Sequence, residues 1–146
     1  MAKIGNEIEK SIFQKITSYS QSIPVSSKRS KNSKSLWYHD GPTYWIRVLP
    51  FDPDGNKSEK SSHYHEVVFQ DNSQADLYTS ILASSLFYFF FKVVSNCRDF
   101  GEREITMFKL PKLSESEIKK LGSNVLNLKT GLQDTAKKCS RKYKSG

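Results

Sequence analysis

The sequence has little of the chemistry that marks secreted or membrane-spanning proteins. Its two cysteines, Cys97 and Cys139, are too few for a disulfide framework, and we expect free thiols, as in a reducing cytoplasm. Residues 1–21 are charged and amphipathic, without the apolar centre of a secretory signal. The one dense apolar run is interrupted by Lys92 and falls short of the roughly 20 apolar residues that cross a bilayer. We therefore expect a cytoplasmic chain with no membrane partner.

Motifs for cofactor and metal binding are also missing. No glycine-rich loop joins a strand to a helix, where a nucleotide-like cofactor would be held. His63 and His65 would share one face of a strand, but no third ligand is suitably spaced, and structural zinc sites usually need four. Cys97 has no histidine near it in sequence, which favours a plain, partly buried thiol over an activated one. We expect no enzyme activity from this chain, and neither a metal nor a cofactor bound to it.

Acidic residues are few relative to basic ones. Fifteen Asp and Glu face 23 Lys and Arg, which gives a formal net charge of +8. That balance favours an anionic partner, nucleic acid before an anionic membrane surface. Nine of the cations and only three acids lie between Lys112 and Gly146, so most of the net charge belongs to this tail.

The apolar run that begins at Ile81 is the centre of the predicted core. It is apolar on nearly all sides, which is typical of a helix buried in a soluble protein; a buried strand is the alternative, because Phe, Tyr and Val favour strands. Its length favours the helix. Polar residues 71–74 offer N-caps, and Asp76 would place a negative charge in the first turn. We predict one helix from about Ser73 to Asn96.

The rest of the chain predicts a small sheet between two further helices. Residues 1–22 form an amphipathic entry helix, whose stripe is Ile4, Ile8, Ile12 and Ile16 with Phe13. Three strands are predicted in the core, residues 23–111, at Leu36–Tyr38, Tyr44–Leu49 and His65–Phe69, the first two as a hairpin. In the basic tail, residues 112–146, apolar residues recur every three or four positions, as in a helix. Gly122 and Gly131 each disfavour helix, so the pattern is compatible with either one helix or two. The predicted class is a single α+β domain.

Two stretches resemble a known family. The first reads SSLFY, further aromatics, Cys97-Arg98-Asp99 and then REI; the second, upstream, reads LWYHDGPTYWIRVLPF, a polar loop and HEVVF. In their residues and in their order along the chain, these stretches resemble the TaqI-like specificity domain of Type IIG restriction-modification DNA adenine methyltransferases. The resemblance covers roughly Glu7 to Pro111. Related phage-defence methyltransferases carry similar domains. The Asn-Pro-Pro-Tyr signature of the catalytic domain is absent from these residues.

The resemblance implies a target-recognition domain that docks on double-stranded DNA. A methyltransferase domain of the same polypeptide, which would use S-adenosylmethionine and flip a base, lies outside this chain. Readout of bases is expected in the major groove, and a cationic loop from Ser26 to Ser35 is either a phosphate-contacting arm or a solvated linker. The candidate DNA-binding residues are Lys28, Arg29, Lys31, Lys34, Arg47, Lys57, Lys60, His63, Arg98 and Arg103.

Two other functions compete with this one. Apolar stripes on the terminal helices are compatible with a helix-mediated protein–protein interaction module. DNA binding would weaken steeply with salt, whereas an apolar interface would barely respond. An independent nuclease would need a carboxylate cluster, which the sequence does not offer.

Overall fold

The computed structural model describes residues 3–25, 29, 31–42, 45–55 and 57–144, without the side chains of residue 72 and residues 136–144. Five helices and five strands are found in these ranges. In chain order they are α1 (Glu7–Ser18), β1 (Gln21–Ser22), β2 (Lys34–His39), β3 (Val48–Leu49), β4 (Tyr64–Phe69), α2 (Asn72–Leu82), α3 (Ser85–Val94), α4 (Glu102–Met107), β5 (Lys109–Leu110) and α5 (Glu115–Lys144). The α+β class predicted from the sequence is confirmed.

The strands form two antiparallel sheets. In the larger sheet β2 is central, with β3 on one side and β4 on the other, and Tyr38 lies opposite both Val48 and His65. Residues at even positions of β2 face the helices, so Leu36 and Tyr38 are buried and Lys34 reaches Asp76 on α2. The short strands β1 and β5 pair with each other in the second sheet. This pairing brings the segment that follows α1 next to the segment that follows α4. The predicted hairpin is present, but its second strand is only β3; Trp45 lies outside it, and Tyr44 lies outside the described residues.

The predicted single helix from Ser73 to Asn96 is wrong in one respect: it is two helices. α2 ends at Leu82 and α3 begins at Ser85, and the two are bent by 64°. Ser84 lies between them with extended backbone, and its hydroxyl accepts a hydrogen bond from the backbone N–H of Phe87 at 3.2 Å. A serine that caps the N-terminus of a new helix supplies an acceptor that a continuous helix would not use. Asp71 caps α2 as predicted, but Asp76 lies beyond its first turn.

Aromatic rings form the centre of the core. Phe87 and Phe91 of α3 both contact Phe100, edge to face, with ring centroids 5.8 and 5.7 Å apart. Phe100 also packs against Tyr38 at 4.9 Å, which joins α3 to the sheet. Phe108, just after α4, contacts Phe87 at 5.2 Å. The apolar run is therefore the buried centre, as its composition predicts.

The terminal helices pack through only part of their predicted stripes. In α1, Ile16 is buried, while Ile8 is 73% and Ile12 37% exposed. Residues four apart on a helix are displaced by about 40° around its axis, so a stripe with strict spacing of four turns away from the core. α5 is one continuous helix despite Gly122 and Gly131. Its first half packs on α2, where Val125 is buried.

Candidate functional site

A cluster of charged and polar side chains lies at one end of the larger sheet. The sheet-end cluster consists of His39, Asp40, Arg47, His63 and His65. All three histidines of the chain meet at Asp40. The Asp40 carboxylate lies 3.0 Å from Nδ1 of His63, 3.2 Å from Nε2 of His65 and 3.8 Å from Nδ1 of His39.

The backbone of Asp40 joins three parts of the fold at this point. Its N–H donates to the carbonyl of His63 at 3.0 Å, which continues the β2–β4 pairing past the last ladder pair. Its carbonyl accepts from the N–H of Phe100 at 2.8 Å. Residues 95–101, which follow the buried helix α3, are thereby fixed beside the end of the sheet. Two segments 60 positions apart in sequence are thereby adjacent in the fold.

The protonation state of His39 follows from its hydrogen bonds. Its Nδ1 lies 3.0 Å from the backbone N–H of Gly41 and 3.1 Å from Nη2 of Arg47, and both groups are donors. Nδ1 is therefore an acceptor, and the ring proton of the neutral form is on Nε2. Burial, helped by the positive charge of Arg47, holds the pKa of His39 below its ordinary value. The same guanidinium donates to the carbonyl of Gly41 at 3.2 Å.

Asp40 is held in its charged form. Burial alone would raise the pKa of this carboxyl, but hydrogen bonds from His65 and His63 outweigh that effect, and its pKa lies below the ordinary value. The two exposed histidines therefore surround a fixed negative charge. Among the residues that the structure describes, however, no group of three or more His, Cys, Asp or Glu side chains is arranged to hold a metal ion.

We expect the sheet-end cluster to make the stability of the chain depend on pH, because folding lowers the pKa of His39 and of Asp40. A histidine whose pKa falls on folding contributes fully to stability when the pH is above its pKa in the unfolded state, about 6.5. This contribution to stability is lost as the pH drops below that pKa. The contribution of Asp40 to stability is lost in a separate pH range, below about pH 4. We expect the urea midpoint of the chain to fall between about pH 7.5 and about pH 5.5, and His39→Asn, which keeps an acceptor oxygen but cannot titrate, to reduce that fall.

His63→Asn is the matched control for this prediction, because it also removes an imidazole from the sheet-end cluster but leaves His39 and its two donors in place. If His39→Asn unfolds with the same dependence on pH as the unmodified chain, His39 is not the group that titrates.

Residues 95–101 form a tightly bonded turn. The Asn96 side chain accepts from the backbone N–H of Arg98 at 2.9 Å, and Cys97 has a positive φ of 62°. Phe100, 2% exposed, anchors the end of the turn in the core. The Arg98 backbone is thus held at both sides while its side chain is exposed. Cys97 is exposed as well, so the prediction of a partly buried thiol is wrong; its Sγ lies 3.7 Å from Nζ of Lys3.

Most of the predicted DNA-binding cations have acidic partners. The Lys57 amine lies 3.1 Å from Asp54, and the Lys60 amine 3.0 Å from Asp52, within the loop between β3 and β4. The other ion pairs are Arg29 with Glu66, Lys34 with Asp76 at 2.6 Å, and Arg103 with Glu104 at 3.2 Å.

Two predicted cations differ from these. Within the described ranges, neither Arg98 nor Lys31 forms an ion pair or a hydrogen bond through its side chain. Arg47 and His63 belong to the sheet-end cluster, and Lys28 lies outside the described residues. The structure thus brings Arg47, His63 and the turn that carries Arg98 together, and it places Lys31 and Lys34 at the far end of β2.

His39, Asp40 and His65 were not predicted from the sequence as members of one site. The signal was present but weak: His39 and Asp40 lie at the predicted turn before Gly41-Pro42, and His65 begins the next predicted strand. Only the pairing of β2 with β4, which puts His39 opposite Tyr64, brings these residues together. Strand order was not predicted, and the cluster depends on it.

No protein-family model matches the chain, and comparisons with curated proteins and with solved structures find no match either. In the part of the chain described here, no single helix is both long and apolar enough to cross a membrane. α2 and α3 meet the length and apolarity required only when taken together, across their 64° bend.

Proposed function

We propose that this chain is a target-recognition domain that holds double-stranded DNA in register for a methyltransferase domain of the same polypeptide. S-adenosylmethionine and the catalytic residues would belong to that other domain. The observation that carries the proposal is Arg98, an exposed arginine without an acidic partner among the described residues, on a turn fixed to the core by Phe100.

A fixed arginine is suited to reading a base. Its planar guanidinium can donate to both O6 and N7 of guanine in the major groove, a contact that discriminates by about 1–3 kcal/mol. Such discrimination requires a backbone that does not move, because the two hydrogen bonds fix both distance and angle. Around Arg98, the Asn96 side chain and the buried Phe100 ring meet this requirement.

Neighbouring groups suit the DNA backbone. Arg47 and His63, in the sheet-end cluster, are donors beside the same turn. Farther away, Lys119 and Lys120 are exposed on α5, in the tail that carries most of the net charge. Contacts to phosphate position a protein on DNA without reading its sequence. The proposal therefore assigns base readout to Arg98 and positioning to the surrounding cations.

Salt dependence tests whether the chain binds DNA electrostatically. We expect the affinity for a dye-labelled duplex, measured by fluorescence anisotropy, to fall steeply between about 50 and about 200 mM salt, with a log–log slope near 0.9 for each phosphate contacted. Lys31→Ala should reduce that slope by about one unit, because its amine has no acidic partner to keep it from a phosphate.

Lys34→Ala is the matched control, since this lysine lies close by in the sequence but is ion-paired at 2.6 Å with Asp76 on α2. Its loss should lower stability and leave the salt slope unchanged. An affinity for duplex that does not respond to salt would contradict the proposal.

One observation favours the alternative, a protein–protein interaction module. Ile8 and Ile12 present an apolar strip on α1, 73% and 37% exposed, beside a helix face that is otherwise charged. Such a strip suits an apolar partner surface, which in the first proposal is the methyltransferase domain itself. Ile8→Ser with Ile12→Ser separates the two functions: DNA affinity should be unchanged, whereas association through α1 would be lost.

A further inference from the structure

The face of the larger sheet that points away from the helices carries aromatic side chains at one end. Odd positions of β2 lie on this outer face, and so do the residues paired with them. Trp37 is followed by His39, which contacts the ring of Tyr64 edge to face at 4.9 Å. Trp37 and Tyr64 are half-buried, so part of each ring is accessible. The His39 side chain is only 16% exposed, and its ring already stacks on that of His63, with centroids 5.5 Å apart. Val68, toward the other end, is buried.

Cations surround these rings. Arg47 lies beside His39, its Nη2 3.1 Å from Nδ1 of the ring. The Lys60 amine lies 5.8 Å from the centre of the Trp37 ring, within the range of a cation–π contact. Arg29 reaches the same face through its ion pair with Glu66, which is the residue opposite Trp37. Aromatic rings interleaved with Arg and Lys are the combination that single-stranded nucleic acid requires, rings for the bases and cations for the phosphates.

We propose that this outer face, at the rings of Trp37 and Tyr64, stacks the unpaired bases of a short single-stranded stretch of DNA. The inference rests on the proposed function and extends it from paired to unpaired bases. Trp37 and Tyr64 are diagonal neighbours on paired antiparallel strands, about 7–8 Å apart, so successive bases that have been unstacked from each other each have a ring to contact. Open sheet faces that bear aromatic residues bind single strands in this way.

Stacking, rather than charge, should provide most of the affinity at this face. Two of its cations have acidic partners, Arg29 with Glu66 and Lys60 with Asp52, so among the described residues Arg47 remains for phosphate binding at this face. Every base has a π face, so the expected preference for sequence is weak. A duplex has no unpaired base to offer and should not contact these rings.

The two tryptophans allow a direct test. Trp45→Phe leaves Trp37 as the only tryptophan, and Trp37→Phe leaves Trp45, which is 58% exposed and lies beside the break between α2 and α3. A short oligothymidylate is titrated into each variant, and a blunt duplex of the same length serves as the second ligand. We expect the oligothymidylate to quench the fluorescence of Trp37 and to leave that of Trp45 unchanged.

Affinity provides the second readout. Trp37→Ala should weaken oligothymidylate binding by about 5- to 150-fold, the range given by one lost base–aromatic stack, and Tyr64→Ala should weaken it in the same direction. Cooperative melting of each variant shows that it is folded. Quenching of Trp37 is measured in Trp45→Phe, which changes only an exposed residue, so this readout holds even if Trp37→Ala does not fold.

The two ligands distinguish this inference from the function on which it rests. Salt-dependent binding of duplex, with oligothymidylate bound without quenching of Trp37 or not bound at all, would overturn the inference and keep the proposed function. Quenching of Trp37 by oligothymidylate without any duplex binding would keep the inference and overturn the proposed function. An absence of binding to either ligand would overturn both.

Discussion

Phe87→Asp is expected to abolish the cooperative unfolding transition of the chain. Phe87 is 0% exposed, and its ring contacts Phe108, Phe100 and Phe90 at 5.2, 5.8 and 6.3 Å. Removing a buried phenylalanine ring costs about 3–5 kcal/mol, and a carboxylate without a partner at the same place adds several more. A total stability of about 5–15 kcal/mol does not survive such a loss. Thermal unfolding followed by circular dichroism should show no transition.

Leu86→Asp is the matched control, one residue earlier on the same helix. Leu86 is 46% exposed, so the new carboxylate is hydrated and little packing is lost. This variant should unfold cooperatively near the midpoint of the unmodified chain. A cooperative transition in Phe87→Asp would mean that the aromatic run is not the centre of the core.

The buried centre was predictable because its signal is local. No other segment is as apolar as residues 86–94, and burial of apolar area is the main favourable contribution to folding. The break at Ser84 was not predictable from the same information. A serine is compatible with the interior of a helix and with its N-cap, and only tertiary packing decides between the two. Here the bend lets α2 cover the sheet while α3 packs among Phe13, Phe100 and Phe108.

The types of residue in the candidate site were predictable from the sequence, but the side chains that they contact were not. The sequence shows which residues are cationic, but not that Arg29 meets Glu66, 37 positions away, or that Lys34 meets Asp76, 42 positions away. Those ion pairs separate cations that stabilise the fold from cations available to a ligand. Arg98 belongs to the second kind, and so does Lys31. The distinction depends on long-range contacts, which periodicity and composition do not encode.

Under the proposed function, Arg98 reads one guanine of a DNA site, and Arg98→Ala is expected to remove the preference for that base. The unmodified chain would be used to enrich a pool of duplexes with a randomised centre, and the enriched site would be compared with a scrambled one. Loss of a bidentate arginine–guanine contact should reduce the ratio of the two affinities by about 5- to 150-fold, the equivalent of 1–3 kcal/mol. Arg103 is also among the predicted DNA-binding residues, but its guanidinium is ion-paired with Glu104 at 3.2 Å, so a smaller loss is expected from Arg103→Ala.

Two further variants separate base readout from charge. Arg98→Lys keeps the positive charge but not the planar fork, so we expect it to restore affinity for all duplexes and to leave the guanine preference lost. Lys31→Ala should weaken enriched and scrambled duplexes equally, because a contact to phosphate carries no sequence information. If Arg98→Ala enriches the same site with the same affinity ratio, Arg98 does not read a base. Readout would then have to be assigned to the loop between β3 and β4, where Lys57 and Lys60 are held by Asp54 and Asp52.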